Sequence, residues 1–555
     1  MLFSQNDPIV MQKILSHKKI STSAFALVLI FVLALFSPKI IGQTVYTHVS
    51  NYSIYEFLNE LAGQQKISLN TAVKPYSRKL IAEKLVEART HGDLNSRQKA
   101  ELEFFMKDYQ KELQTSTYDS KRWDLFYHTD SMFSITINPI LGIRMDASNS
   151  AYHRWNGGEV FGRLGKRWGY YASLRDNEDN KTLSSPTFRT NRHAAIYKLN
   201  EPGQEGGEYS EMRGGITYNW SWGSIGLVKD NFVWGNQYNG ANIFSGRTPS
   251  LGQIRLQAKP IKWLELNYVH AWLNSNVVDS IRTYNHGNGT RDVFHEKYMA
   301  ANLITVTPIE NLDISVGNSI VYSDIGIEPA YLIPFLFYKS VDHTLNSTSN
   351  DSGQNSQLFA DVSFRRLKNT HLYSSIYIDE IEVRSLFDEE ESRNIISWKA
   401  GARYFGLMDG NLSLTAEYTR NNPLVYRHYI STTTFTSNEY NLGHYLGENA
   451  QEIYLAATYK PAARWLIKLA YLDIRKGNEF EFLDGNSGTD AQEFLVNEVF
   501  TRQDIQLDVR YEWLNDLKFE LSWTMSDIKD ETGFFVPEFM QGNNQRISAG
   551  VSYGF

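Results

Sequence analysis

The clearest indication of the fold comes from the last ten residues, Arg546-Ile-Ser-Ala-Gly-Val-Ser-Tyr-Gly-Phe555. Apolar or aromatic residues occupy every second position from Ile547 to Phe555, and the positions between them are polar or glycine. This period of two is typical of a β-strand with one apolar face. The stretch therefore predicts a strand whose apolar face includes the final residue of the sequence.

Two classes of protein could contain such a strand. One is a soluble β-sandwich with this stretch at its edge. The other is an outer-membrane β-barrel, and the stretch resembles the closing strands of such barrels, in which a C-terminal aromatic residue is part of the assembly signal. In that class we expect Phe555 to be the membrane-assembly signal.

The composition excludes several classes. A mean hydropathy of -0.40 over 555 residues is too low for a bundle of apolar membrane helices, whereas the strands of a transmembrane barrel are only half apolar. The net charge of -7 gives no sign of a nucleic-acid partner. Because the chain has no cysteine, it has no disulfides, thiolate metal sites or cysteine nucleophiles. Nothing in the sequence predicts a metal or a cofactor.

The N-terminal region has the layout of a secretory signal peptide. Lysines precede a short apolar run at residues 24–36, and small Gly42 follows it. The run is too short to cross a bilayer as a helix. We therefore predict a signal peptide over residues 1–43, with Met11 as an alternative start and cleavage at residues 38–44; the alternative is an N-terminal membrane anchor.

Residues 44–120 are predicted to be a periplasmic helical segment. Ser53 and Glu56 fit a capping box, Ser77 can cap a second helix, and Asn95 begins a third. Three short amphipathic helices bury too little surface for a stable core of their own. We therefore expect the segment to dock at the periplasmic end of the barrel and to obstruct its lumen.

From residue 121 to residue 555 the apolar period is two. Ile505, Leu507 and Val509, for example, alternate with charged residues, which a wet barrel interior tolerates. About eighteen such strands are joined by connections that alternate between short turns and long loops. The predicted fold is therefore an all-β membrane protein, an antiparallel transmembrane β-barrel of about 18 strands in the outer membrane, with external loops. Its expected partners include outer-membrane lipid and the barrel assembly machinery.

The long loops contain residue types that bind sugars. Aromatic rings match the apolar faces of sugars, and amides, arginine and histidine match their hydroxyls or carboxylates. The alternative is that these side chains hold the loops together inside the barrel mouth. The predicted polysaccharide-binding residues are Asp230, Trp234, Asn236, Tyr238, Arg247, Arg427, His428 and His444.

Three blocks of sequence occur in a characteristic order. They are Gly226-Leu-Val-Lys-Asp-Asn-Phe-Val-Trp-Gly235 continuing to Pro249, Tyr331-Leu-Ile-Pro-Phe335 with Ser374-Ser-Ile-Tyr-Ile-Asp-Glu380, and Glu417-Tyr-Thr-Arg420 continuing to Leu442-Gly-His-Tyr-Leu-Gly447. Together with Val73-Lys-Pro-Tyr-Ser-Arg78, they resemble the Wzi-type capsule assembly family of outer-membrane proteins. The resemblance implies an eighteen-stranded barrel with a periplasmic helical bundle and a blocked lumen. It also implies a lectin-like role in retaining capsular polysaccharide at the cell surface.

The predicted function is therefore that of a lectin-like outer-membrane protein of capsule assembly, which binds and retains capsular or other surface polysaccharide. The alternative is an outer-membrane porin or transporter for sugars or other solutes, which single-channel conductance would distinguish. A hydrolase would need a convergent nucleophile or acid–base pair. The sequence shows no such set, so no enzyme activity is predicted.

Overall fold

The protein is a closed antiparallel β-barrel. The computed structural model describes residues 44–113, 122–190, 193–198, 205–345, 353–381, 394–480 and 493–554, so the predicted signal peptide and Phe555 lie outside the described residues. Each long strand pairs with its neighbours along the chain, and the last strand closes the sheet on the first, with Ser548 opposite Asp146. The predicted fold class is confirmed. The eighteen strands are β1 Phe133–Asp146, β2 Ala151–Leu164, β3 Trp168–Asp179, β4 Gly207–Trp220, β5 Gly223–Asp230, β6 Leu251–Ile261, β7 Leu264–Val278, β8 Phe294–Ile309, β9 Leu312–Ser323, β10 Asn355–Phe364, β11 Thr370–Glu380, β12 Ile395–Leu407, β13 Leu412–Asn421, β14 Ala450–Tyr459, β15 Trp465–Gly477, β16 Glu498–Leu514, β17 Leu517–Asp530 and β18 Gly542–Tyr553.

Alternation along each strand separates an inner from an outer face. On β14, Glu452 points into the lumen and is 1% exposed, whereas its neighbour Ile453 and the next outward residue, Leu455, are 39% and 46% exposed. Successive side chains of a strand point to opposite faces, so the outward set forms the apolar band that faces lipid.

The two ends of the barrel differ in the length of their connections. At one end, here called the turn end, the strands are joined by two to five residues. At the other end, the loop end, the connections have eleven or more residues, with the exception of 147–150 between β1 and β2. The predicted alternation of short and long connections is confirmed apart from this four-residue connection.

A helical segment lies at the turn end. It contains α1 Tyr52–Gly63, α2 Arg78–His91 and α3 Ser96–Tyr109. The predicted caps of α2 and α3 are present, because the Ser77 side chain accepts a hydrogen bond from the Leu80 N–H at 3.1 Å and Asn95 forms a capping box. No helix in the described part of the chain is both long and apolar enough to cross a membrane.

The predicted capping box at Ser53 is wrong. Helix α1 already begins at Tyr52, and the residue before it, Asn51, makes no side-chain cap bond. Both terminal guanidinium nitrogens of Arg403 on β12 donate to the Glu56 carboxylate instead, with Arg403 Nη1 at 3.0 Å from Glu56 Oε2. A buried ion pair with the barrel wall therefore replaces the local cap, and sequence spacing alone cannot reveal such a long-range partner.

Charged pairs hold the helical segment against the turn end. The carboxylate of Glu60 accepts from Lys460 Nζ at 2.9 Å and from Arg97, and Arg97 Nε donates to Asn411 at 2.6 Å. Burial alone would raise the pKa of Glu60, but Lys460 and Arg97 outweigh it and hold that pKa well below its usual value. Buried ion pairs between charges of opposite sign thus bind the segment to the barrel.

Candidate functional site

The connection between β5 and β6, residues 231–250, folds into the barrel and is here called the plug loop. Its short strand Val233–Trp234 pairs antiparallel with Val73–Lys74 of the helical segment. A loop that starts at one end of the barrel therefore meets a segment that packs at the other end. Together they fill a large part of the lumen.

Trp234 is the apolar centre of the plug loop. Its side chain is 1% exposed, and its ring centroid lies 5.1 Å from that of Phe244 and 5.9 Å from that of Phe359 on β10. The backbone N–H of Trp234 donates to the Phe244 carbonyl at 3.0 Å. Contact between this ring and a glycan, as the sequence analysis expects, would require the plug loop to move.

Asn236 and Tyr238 attach the plug loop to the barrel wall. The Asn236 N–H donates to Asp361 at 3.3 Å, and its side-chain amide donates to the same carboxylate. The Tyr238 N–H donates to Glu417 at 2.7 Å, and its hydroxyl lies 2.8 Å from His371 Nδ1. The polar atoms of this loop are thus bonded to the wall, as the alternative interpretation of the loop residues describes.

Asp230, Arg247 and His444 are also inside the protein. Asp230 accepts from Arg213 Nε at 2.7 Å, and Arg247 Nη1 donates to the Tyr445 carbonyl at 3.0 Å. Burial lowers the pKa of Arg247 to about 9. The side chain of His444 is 0% exposed. These three predicted binding residues therefore have their contacts within the folded chain.

Arg427 and His428 lie in the connection between β13 and β14 and keep accessible surface. The Arg427 side chain is 34% exposed and pairs with Glu479 at 2.6 Å. His428 is partly buried, its Nδ1 lies 2.8 Å from the Thr433 hydroxyl, and burial lowers its pKa to about 4. Of the eight predicted residues, these two and the half-buried Tyr238 are the ones that are not fully buried.

The plug loop leaves one side of the lumen open. A cavity of about 1090 Å³ lies against β1–β4 and β16–β18, and a second of about 1300 Å³ shares His48, His193 and Glu211 with it. The Arg510–Glu520 ion pair on this wall is 26% and 30% exposed, whereas Lys399 and Glu417 on the plugged wall are both 0% exposed. Water therefore reaches the inner wall on one side of the barrel.

Arg144 is the most accessible cation of this open side. It is exposed although it points into the lumen from β1, and its Nη2 donates to the hydroxyls of Ser548 at 3.0 Å and Ser522 at 3.3 Å. Arg546 is half-buried at an inward position of β18, where its Nη1 lies 3.5 Å from Met540 Sδ. Within the described residues, neither guanidinium has a carboxylate within 4.0 Å.

Aromatic rings lie beside these arginines. The rings of His153 and Trp155 on β2 are 4.6 Å apart, and the Arg175 guanidinium lies 4.7 Å from the Trp155 ring centroid. Trp155 Nε1 is buried and has no hydrogen-bond partner among the residues that the structure describes. Guanidinium groups bind carboxylates, and indole and imidazole groups offer apolar edges and donors to sugars. The wall therefore offers the chemistry that an acidic saccharide requires.

The open wall was not predicted from the sequence. Its residues come from seven strands in two groups that are far apart in the sequence, and the contact between β1 and β18 exists only once the barrel closes. One local signal was present, because alternating positions of β2 carry the aromatic residues His153 and Trp155 on the same face.

A family model matches most of this barrel. The model of the capsule assembly protein Wzi family matches residues 213–533, which run from β4 to the end of β17 and beyond it by three residues. No curated protein sequence matches the chain.

Several solved structures resemble the fold. The outer-membrane protein Wzi of Escherichia coli, which is described as involved in group 1 capsule assembly and as a carbohydrate-binding β-barrel, has a TM-score of 0.57 at 13% identity, covering 93% of this chain and 99% of that one. OccAB1 of Acinetobacter baumannii has a TM-score of 0.43 at 11% identity, covering 78% and 97%. OprD of Pseudomonas aeruginosa has a TM-score of 0.39 at 11% identity, covering 76% and 94%.

Proposed function

Since the chain belongs to the Wzi family of capsule assembly proteins in the outer membrane, we propose that it binds and retains capsular or another surface polysaccharide at the loop end of its barrel. The single observation that supports a binding site is the pair Arg144 and Arg546. Both guanidinium groups belong to inward-pointing residues near the loop end, Arg144 lines the open cavity, and neither has an acidic partner within 4.0 Å in the described residues. A chain of acidic sugars would supply the missing carboxylates.

The position of these arginines suits a polymer that comes from outside. They lie near the loop end, and the connection that follows the strand of Arg144, 147–150, has only four residues. The longer connection between β3 and β4 also lines the cavity beside Arg144, so the short connection leaves one side of this arginine uncovered. Arg427 and His428, which keep accessible surface in the connection between β13 and β14 at the same end, are retained in the proposal as additional contacts.

The alternative function, a porin or transporter, requires a continuous aqueous path. The plug loop and the helical segment pair with each other inside the lumen, and the segment is bound to the turn end through Glu60 and Lys460. Both features favour retention of a ligand at the loop end over passage to the other end.

The test compares capsule retention and polysaccharide binding in a deletion strain complemented with variants. In Arg144→Gln/Arg546→Gln we expect weaker binding of purified acidic capsular polysaccharide, by about 10- to 100-fold for each charged hydrogen bond lost. The loss should shrink at high salt, because exposed charges are screened. Arg282→Gln is the matched control, since Arg282 is also at the loop end but is already paired with Asp279 at 2.5 Å.

Two results would contradict the proposal. Full capsule retention in the deletion strain would remove the retention function itself. If retention depends on the protein but the double variant folds, reaches the surface and binds like the Arg282→Gln control, the arginine pair is not the site.

A further inference from the structure

The connection between β9 and β10 folds back over the outside of the barrel. Its described part, residues 324–345, is here called the strap. It contains a 3₁₀ turn at Pro329–Leu332 and the helix α4 at Tyr338–Leu345. Tyr331 and Tyr338, both 0% exposed, pack against outward residues of β6–β9 rather than against the lumen.

The wall under the strap has polar side chains where a lipid-facing wall is normally apolar. Tyr268, Asn302 and Asn318 are cross-strand neighbours on β7, β8 and β9, and they face outward because Val269 next to Tyr268 lies in the lumen core with Trp234. Asn302 lies near the middle of its strand. A bare amide at that depth would cost several kcal/mol in hydrocarbon.

The strap buries this polar row. Tyr268, Asn302 and Asn318 are 3%, 2% and 8% exposed. Val316, the next outward residue of β9 towards the turn end, is 56% exposed. The cover therefore ends just below the polar row and leaves the apolar band beneath it open to lipid.

The wall in turn satisfies the backbone of the strap. Asn302 Nδ2 and Asn318 Nδ2 donate to the Leu336 carbonyl at 2.9 and 3.2 Å, and the Tyr338 N–H donates to Asn318 Oδ1 at 2.9 Å. The Tyr268 hydroxyl donates to the Tyr331 carbonyl at 2.9 Å. Backbone groups without a partner in a helix are tolerated at membrane depth only where protein groups bond them. The wall bonds the non-helical Leu336, and it also bonds Tyr331 in the 3₁₀ turn and Tyr338 at the first position of α4.

The outer surface of the strap is apolar over the nine residues 329–337, which carry no charge. Charged residues lie on both sides of this stretch, with exposed Asp324 and half-buried Glu328 before it and exposed Lys339 after it. This surface continues the lipid-facing band of the barrel sideways. Its exposed apolar residues are Ile325, Ile327, Leu332, Ile333, Phe335 and Phe337, with Phe335 the most exposed at 66%.

We propose that the strap is a membrane-embedded element, inserted from the loop end beside the barrel, and that lipid acyl chains cover its outer surface. The observations that carry this are the polar row under the strap, the hydrogen bonds between them and the uncharged apolar face turned outward. A water-exposed loop needs neither the polar row beneath it nor a continuous apolar surface above it. The strap thus gives the protein an additional lipid-contact surface on one side.

The test uses the absence of cysteine in the natural chain. Single-cysteine variants Phe335→Cys, Val316→Cys and Ile281→Cys are placed in lipid nanodiscs that hold one barrel each. Ile281 is 94% exposed in a loop-end connection and serves as the water-exposed control, and Val316 is the control for the lipid-facing wall. A charged, membrane-impermeant maleimide is added, and all three proteins are labelled again after denaturation.

We expect Phe335→Cys to lose labelling as Val316→Cys does, while Ile281→Cys reacts. A bimane fluorophore attached at position 335 should be quenched by brominated acyl chains. Labelling of Phe335→Cys at the rate of Ile281→Cys would overturn the proposal. Protection that appears only when two barrels share a disc would also overturn it, because a second copy would then be the cover.

Discussion

Replacing Trp234 with alanine should loosen the plug loop while the barrel wall remains intact. The ring is 1% exposed and packs against Phe244 and Phe359 at centroid distances of 5.1 and 5.9 Å. Removing a buried tryptophan typically costs about 3–5 kcal/mol. If the substitution lowers the free energy of local opening of the plug loop by this amount, backbone hydrogen exchange at position 234 should accelerate by about 10²- to 10³-fold or more. The backbone N–H at this position donates to the Phe244 carbonyl at 3.0 Å.

Hydrogen exchange with mass spectrometry of the barrel in detergent would measure this. Trp263→Ala is the matched control, because Trp263 is 51% exposed on the outer surface next to β7 and makes no plug contact in the described structure. Equal hydrogen exchange of plug-loop peptides in both variants would show that Trp234 does not hold the plug loop closed. Reduced capsule retention without faster exchange would instead favour direct glycan contact by Trp234.

Three further predictions concern other parts of the chain. Lys460→Met removes a cation from the buried carboxylates of Glu60 and Glu101 and should cost about 3–5 kcal/mol, measured as easier release of the helical segment by protease. Lys79→Met, on the outer side of the segment, should cost no more than about 1 kcal/mol, and equal protease resistance of the two variants would show that the Lys460 pairs do not hold the segment. Burial lowers the pKa of His428 to about 4, so the unfolded chain takes up a proton before the folded chain does as the pH falls, and the local stability that is full above about pH 6.5 is lost towards pH 4. His428→Gln should flatten this pH dependence in the hydrogen exchange of residues 422–434. An unchanged pH dependence in the variant would show that another group causes it. Phe555→Asp should block barrel assembly, and heat-modifiable protein at normal levels in the outer membrane would disprove the role of that residue.

The barrel could be predicted from the sequence because the patterns that indicate its strands and turns are local. Alternation such as that of Ile505 and Leu507 with charged residues defines the two faces of a strand, and short polar turns define one end. The caps at Ser77 and Asn95 depend on residues three positions away, and both are present. The prediction of a capping box at Ser53 was wrong because Glu56 pairs instead with Arg403, which is 347 positions away.

The candidate site could not be predicted in the same way. The polar and aromatic residues of the plug loop have the composition of a solvated loop, and its entry into the barrel depends on long-range contacts such as the pairing of Trp234 with Val73. The open wall depends on closure between β18 and β1, which brings strands from the two ends of the chain together. Strand alternation predicts that a side chain points inward, but it does not predict whether the lumen at that level is filled or wet.

The unequal filling of the lumen has a consequence for how the binding specificity of this barrel can change over time. On the plugged side, replacing Asp361 or Glu417 would leave hydrogen-bond donors of Asn236 or Tyr238 buried and unpaired, so most substitutions there damage folding. On the wet side, Arg144 is exposed and bonds to the hydroxyls of Ser548 and Ser522, so substitutions there cost little stability. If this wall binds glycan as proposed, its residues are free to change with the glycan while the plugged side preserves the fold, and related barrels that bind different glycans should diverge first at positions equivalent to Arg144 and Arg546.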